Sequence, residues 1–441
     1  MKFLKILNLF FFTCLVIISC SKDPETIVET VTVTETVTVT DTVTETVTVE
    51  ADPYADSTLE GKISSDKALS ADKVWLLKGR VIVESGATLT IPAGTVIKAE
   101  PGSGADASTL IIARGGKIDA KGTAAKPIIM TSKSDNIKAA GTYPTSGKSL
   151  TVDARGLWGG LLVLGKAPSS FKGDVTELQI EGIPVTEAAG LYGGSDAADD
   201  SGVMQYMSIR HGGAEIGEGN EINGLTLGGV GNKTVIDHIE VVANVDDGIE
   251  FFGGTVNASN LMVYGQGDDA LDIDQAYSGT VDNAMVVLTA ASDHGLEIDG
   301  PEGSLAGSFT VKNVTIKGAS KSGAALGANG EIADFRKAAT GSLSNIYAFD
   351  FVASKDVELD ADADSASYTA GTLTFANWDI QYAGTATTLD KTFVDKSTVG
   401  STFSADASTF AEIVTAKKAD AGATDSEYEW TYWFANQGEH L

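Results

Sequence analysis

The chain has 441 residues, with 60 Asp and Glu against 31 Lys and Arg, a formal charge of −29 and a pI near 4.4. That balance excludes nucleic acid as a partner, because phosphate would be repelled rather than gathered. Glycine is abundant at 49 and proline scarce at 9, which suits many tight turns between short strands.

Residues 1–19 read as a secretory signal, in which Lys2 and Lys5 precede an apolar run from Leu9 to Ile18. The run is short for a transmembrane span. It ends at Ile17-Ile18-Ser19-Cys20, which resembles the lipobox of bacterial lipoproteins, with Cys20 as the acylated first residue. Cys14 leaves with the signal, so the mature chain keeps one cysteine for lipid and can form no internal disulfide. The following Ser21-Lys22-Asp23-Pro24-Glu25 is similar to the Lys-plus-acid signals that send some lipoproteins to the outer face of the outer membrane.

Residues 20–58 are the expected stalk. Every even position from Thr30 to Thr48 is Thr, with Val or an acid between. Strict period two in β-branched residues predicts an extended spacer rather than a helix. Self-pairing into a β-stalk between chains is the alternative, since a Val-rich edge invites pairing. Asp41-Thr42-Val43, Asp56-Ser57-Thr58 and Asp364-Ser365-Ala366 resemble O-glycosylation sequons.

Residues 59–441 read as one coil. Short apolar strands such as Val81-Ile82-Val83, Thr88-Leu89-Thr90-Ile91 and Ile128-Ile129-Met130 alternate with turn signals at Ser85-Gly86, Pro92-Ala93-Gly94 and Gly115-Gly116. The spacing leaves no room for crossover helices. Residues 166–200 break the rhythm and are expected to be an insertion extruded from the coil. At the far end Trp430, Tyr432, Trp433 and Phe434 are expected to cap the open solenoid.

The most informative stretch is 244–300. Asp247-Gly248-Ile249-Glu250-Phe251-Phe252, Asp269-Ala270-Leu271-Asp272-Ile273-Asp274 and His294-Gly295-Leu296-Glu297-Ile298-Asp299 repeat one pattern at steps of 22 and 25 residues. A weaker copy lies at Asn223-Gly224-Leu225-Thr226-Leu227. Such a period, with one strand per copy, marks a chain stacked on itself. Alternation then points Ile249, Leu271 and Leu296 inward and Glu250, Asp272 and Glu297 outward, with Asp274 and Asp299 beside them. Strands lie about 4.8 Å apart, where two like charges repel by about 1 kcal/mol even in water. This column calls for a cation, a shared proton or water, and Ca²⁺, which favours carboxylate oxygens, is the expected cofactor. Phe252, Tyr264 and Tyr277 are the expected sugar-stacking rings, since Phe251 points inward.

Several segments together carry a resemblance: ATLTIPAGTVIKAE (87–100), GGKIDAKGTAAKPIIMTS (115–132), GLWGGLLVLGKAP (156–168), YGGSDAADDSGVMQYMSIRHGG (192–213) and DDGIEFFGGTVNASNLMVYGQGDDALDID (246–274). They resemble a family of bacterial outer-membrane, cell-surface lipoproteins of the pectin-lyase-like superfamily. The resemblance implies an all-β fold, a right-handed single-stranded parallel β-helix, and no established reaction. Asn244-Val245-Asp246, Gly267-Asp268-Asp269 and Asp293-His294-Gly295 are also similar to the motifs of polygalacturonase-type glycosidases. That similarity implies Asp269 as general acid, Asp246 and Asp268 as the water-activating pair, and His294 as their neighbour. The Arg and Lys that such enzymes place in their next motif are missing from residues 322–327, and Arg336-Lys337 follow at a different spacing.

The expected function is non-catalytic binding of a glycan or of a partner in an outer-membrane uptake system, assisted by Ca²⁺, on a lipid anchor facing the cell exterior. The alternative is a carbohydrate-active enzyme, a glycoside hydrolase or polysaccharide lyase. Anchoring is directly testable: Cys20→Ala should move the protein from the membrane fraction to the soluble fraction. Retention of the processed variant in membranes would overturn the lipoprotein reading.

Overall fold

The computed structural model describes residues 15–17, 28–34, 44–50, 53–139, 150–215, 222–319 and 331–437. Cys20, the sequon at 41–43 and the segment 322–327 lie outside the described residues. The chain divides into two compact units, Met1–Ser57 and Thr58–Leu441. In the first, Val28–Thr34 pairs antiparallel with Thr44–Glu50, so the Thr/Val repeat pairs with itself within one chain. Leu15–Ile17 adds a third strand to that ribbon.

The second unit is a right-handed, single-stranded parallel β-helix whose 24 strands form one continuous hydrogen-bonded sheet. Three faces run along it, because each turn of the coil pairs residue for residue with the next. On the face that matters here, Leu225–Gly228, Ile249–Phe252, Leu271–Asp274, Leu296–Asp299, Ala333–Arg336 and Val357–Leu359 stack in parallel. Alternation decides which side chains face the interior. Ile249, Leu271 and Leu296 form one buried row, and Phe251, Ile273 and Ile298 form another. The expected inward register is the one observed.

Two local devices hold the rungs in register. At one corner Tyr206, His238, Asn260, Asn283, Asn313, Asn345 and Asn377 all adopt left-handed backbone, with φ between 48° and 63°. Asparagine tolerates that conformation because its short amide bonds locally. Here the amides also bond between rungs, Asn283 Nδ2 to Asn260 Oδ1 at 2.6 Å and Asn345 Nδ2 to Asn313 Oδ1 at 2.8 Å. At another corner the glycines that follow Asp247 and His294 have a packing reason. A Cβ on Gly248 would lie 2.3 Å from Val263 Cγ1, and one on Gly295 would lie 2.7 Å from Ile316 Cγ2.

Three expectations need correcting. The insertion at 166–200 is not extruded. Phe171, Ile180, Ile183 and Tyr192 fold back over Ile111, Leu162, Leu164 and Phe252, because those outward residues are apolar and need cover. The C-terminal aromatics do not close the end of the coil. Tyr428, Tyr432 and Trp433 run back along its side and pack on Val242, Met262, Tyr264 and Met285. Tyr428 Oη donates to Asn283 O at 2.8 Å, Trp433 N donates to Glu240 Oε1 at 3.2 Å, and Arg210 stacks 4.7 Å from the Tyr432 ring. The end is filled instead by Phe375, Phe393, Phe403 and Phe410, whose centroids lie 5.0–5.9 Å apart. Finally, Tyr277 points inward: it is 1% exposed, packs 4.8 Å from Phe251 and donates to Val256 O at 2.6 Å.

Leu271 is fully enclosed between Ile249 and Leu296. Leu271→Ala should therefore cost about 2–5 kcal/mol in chemical denaturation, as a cavity that neighbouring rungs cannot fill. A cost under about half a kcal/mol, the usual range of a surface change, would contradict the register.

Candidate functional site: a buried carboxylate face

The outward residues of the face place Thr226, Glu250, Asp272, Glu297, Asp334 and Glu358 in one column, each paired with the next. Beside it run Phe252, Asp274, Asp299 and Arg336. The expected column is present and extends two rungs further than the repeat suggested. It is not a solvated surface. Glu250, Asp272 and Glu297 are only 5–8% exposed, and Asp299 is 3% exposed.

The turn before each strand adds a third column, Asn223, Asp247, Asp269 and His294, all buried. Here each acid binds the next rung's backbone. Asp247 Oδ1 accepts from Asp269 N at 2.9 Å, and Asp269 Oδ1 accepts from His294 N at 2.7 Å. His294 Nδ1 donates to that same Asp269 oxygen, also at 2.7 Å. Outside this column lie Asp246 and Asp293, half-buried, and Asp268, exposed. The four catalytic candidates, Asp246, Asp268, Asp269 and His294, are thus brought together on successive rungs.

Their geometry fits acid catalysis poorly. Asp269 is 4% exposed, and one of its oxygens already takes two bonds from His294. Oxygens of Asp269, the expected acid, and Asp268, one of the expected bases, lie within 4.8 Å of one another and of an Asp293 oxygen. An inverting glycosidase keeps its two carboxyls about 6.5–9.5 Å apart to admit water.

Cations divide the face into two unlike parts. Arg336 donates through Nε to Asp299 at 2.7 Å and contacts Glu297 through Nη2. Lys337 Nζ lies 2.5 Å from Asp299 and 4.0 Å from Asp274. Glu297 and Asp299 therefore hold the protein's own counter-ions and are poor metal ligands as they stand. Asp247, Glu250 and Asp272 have oxygens within 4.8 Å of one another and no salt bridge among the described residues. Asp272 Oδ1 and Asn223 Oδ1 are enclosed without a hydrogen-bond donor, while Asn223 Nδ2 donates to Glu250. Three carboxyls thus converge, with Asn223 against Glu250, and no cation of the chain is in contact with them among the described residues.

The electrostatics follow. Burial, and then repulsion from Asp272 and its neighbours, pushes Asp247 and Glu250 well above the carboxylate range. Burial and then Asp274 and Asp269 do the same to Asp272. Asp274 is raised to about 7 by burial and then Asp299. Burial lifts Asp334 to about 7, with Asp360 and Glu331 adding to it, and Asp268 to about 6, with Asp269 and Asp293 adding. For His294 burial opposes the charged ring, but the bond to Asp269 and the surrounding acids outweigh it and raise the imidazole to about 9.

The expected stacking rings are all covered. Phe252 points outward but packs 6.0 Å from Tyr192 of the insertion, Tyr264 lies under the C-terminal segment, and Tyr277 is in the core. Sequence reasoning missed Asn223, Asp247, Asp334, Glu358 and the basic pair. Ala333-Asp334-Phe335-Arg336 shows the same alternation as the repeat, but it follows Leu296 by 37 residues rather than 22 or 25.

The family described as the pectate-lyase-like beta helix domain matches residues 61–435, and the chain belongs to it. No curated protein and no solved structure matches the chain.

The raised pKa values fix the sign of a pH dependence. A carboxyl whose folded pKa exceeds its unfolded value of about 4 stabilises the fold at low pH, and that contribution is lost as pH rises through the folded value. His294, raised from about 6.5, adds a contribution lost toward pH 9. In chelator, the melting temperature should therefore fall steadily from pH 5 to pH 8, and Asp334→Asn should flatten the slope. A flat or rising profile for the unmodified protein would show that the acids are not held protonated.

Proposed function

We propose that this pectate-lyase-like β-helix protein is a non-catalytic, glycan-binding protein whose binding face is held by Ca²⁺ on Asp247, Glu250 and Asp272. The carrying observation is that these three buried carboxyls converge without an ion pair to any cation among the described residues, while their neighbours Glu297 and Asp299 have Arg336 and Lys337. All-oxygen ligation by several carboxylates is what Ca²⁺ takes, and the ion would offset the repulsion that raises their pKa values. The lipobox-like end at Cys20 and the Thr/Val repeat support a position on a lipid-anchored stalk at the outer membrane, facing outward.

The second reading is a carbohydrate-active enzyme using Asp268 with Asp246. The exposure of Asp268 and a pKa raised to about 6 favour it as the water-activating base, since proton transfer is best served by a group whose pKa lies close to the working pH. The doubly bonded Asp269 counts against it. Release of reducing ends from a polysaccharide panel, abolished in Asp268→Asn, would establish this reading.

For the first reading, Ca²⁺ should raise the melting temperature at pH 8. A site occupied at a hundred times its dissociation constant adds about 2.7 kcal/mol. Mg²⁺ should do less, because it gives up its waters reluctantly. The Ca²⁺ effect should vanish in Asp272→Asn, and glycan-array binding should vanish in chelator. Identical melting curves in calcium and in chelator would remove Ca²⁺ from the account.

A further inference from the structure

Near the start of the coil the strands Val74–Val83, Thr109–Ile112 and Leu161–Leu164 pair in that order. The turns that follow them carry Ser85, Arg114-Gly115 and Lys166. The insertion returns beside these turns as Gly193-Gly194-Ser195, and an open pocket of about 470 Å³ lies between the two. On a chain of formal charge −29 its walls are an exception, since they carry Arg114 and Lys166 against one acid, Asp196.

Two glycines make the space. Gly115 has φ 81°, and a Cβ on it would lie 2.6 Å from Ser85 Oγ and 3.0 Å from Lys166 Nζ. The serine hydroxyl and the ammonium therefore converge over one bare Cα. Gly194, at φ 155°, brings the insertion against the same turn, where a Cβ would lie 2.7 Å from Lys166 O. Only glycine takes such a backbone so close to its neighbours.

Donors outnumber acceptors here. Lys166 forms no ion pair among the described residues, although Asp196 lines the same pocket and gives Oδ1 to Ala198 N at 3.0 Å. Arg114 is held in place through Nη1, which donates to Glu177 Oε2 at 2.7 Å and to Gly193 O at 3.0 Å. Its Nε and Nη2 groups have no acceptor among the described residues, and neither do the backbone N–H groups of Gly194 and Ser195. Successive N–H groups beside left-handed glycines form the concavities in which proteins hold anions.

We propose that Lys166, Arg114, Ser85 and the Gly194-Ser195 backbone form a binding site for a tetrahedral oxyanion, the phosphate or sulfate of a monoester. A carboxylate has two oxygens to offer. An ammonium, a guanidinium, a hydroxyl and main-chain N–H groups approaching from both walls need the three outer oxygens of such an ester. The chain's overall charge repels anions, so binding depends on these local donors. None of the carboxyls assigned to Ca²⁺ takes part, and the site stands or falls apart from that reading.

The test titrates the full chain, in chelator, with inorganic phosphate, sulfate and acetate by calorimetry. Phosphate or sulfate should bind and acetate should not. Lys166→Met should weaken binding by at least about fivefold, the effect of removing one charge at contact. Arg114→Gln should weaken it too, and far-ultraviolet circular dichroism checks that each variant is folded. Two further arms separate the sources of the ester, both with Cys20→Ala so that no lipid anchor contributes. Retention on phosphatidic acid vesicles but not on phosphatidylcholine vesicles, lost in Lys166→Met, would assign a lipid headgroup. Binding of glucose 6-phosphate without retention on vesicles would assign a soluble or glycan-borne phosphate. Acetate bound as tightly as phosphate, no binding of either tetrahedral anion, or binding unchanged in both variants would overturn the site.

Discussion

Everything in this fold follows from stacking equivalent residues about 4.8 Å apart along a parallel coil. Apolar residues gain from it, because each rung buries the next, and Leu271 between Ile249 and Leu296 is the plain case. Acids lose from it. A run of Glu250, Asp272, Glu297, Asp334 and Glu358 puts five carboxyls in line, each beside its like, on a face almost closed to water. The fold cannot dilute that charge by moving the rungs apart, since the same register holds the core.

The chain answers the problem in three ways. Next-rung backbone N–H groups take one oxygen each of Asp247 and Asp269. Internal cations take others, Arg336 and Lys337 at Asp299 and Lys396 at Glu358, while the His294 ring shares the Asp269 oxygen that already takes a backbone N–H. Where neither reaches, burial and the neighbouring acids raise the pKa, as at Asp272. Protonation and cation binding would compete at such a group, because a carboxyl must lose its proton to act as a ligand.

The repeat was legible wherever the rung length stayed nearly constant. From Ile249 to Leu296 the steps of 22 and 25 residues made inward and outward positions readable from alternation alone. Beyond Leu296 the next step of 37 residues hid Asp334 and Arg336, although each rung is locally ordinary. The insertion and the C-terminal segment were unreadable for a different reason. Both pack on outward-facing residues, Leu162 and Leu164 for one and Met262 and Met285 for the other. Alternation marks such residues as exterior without saying what covers them. Tyr277 failed because it follows the strand, in a turn with left-handed Gln275 and Ala276, where the two-residue period no longer applies.

A neighbouring face shows that the unpaired acids are not a by-product of stacking. There Asp237 accepts from Ser259 at 2.8 Å and from Asn260 at 2.6 Å. Burial opposes its charge, but His238 and these donors outweigh it and hold Asp237 down at about 2. Asp282 likewise takes Asn313 at 2.7 Å and Lys312 at 3.0 Å. The same rungs, with the same spacing, can therefore satisfy a carboxylate fully by placing one donor on the next turn. At Asp272 the next turn supplies Glu297, and the turn before supplies Glu250. Stability would have been served by a Ser, Asn or Lys at either position. A carboxyl left between two others is the arrangement expected where a ligand would supply the missing contact, because a site must keep unsatisfied the groups that its ligand will satisfy.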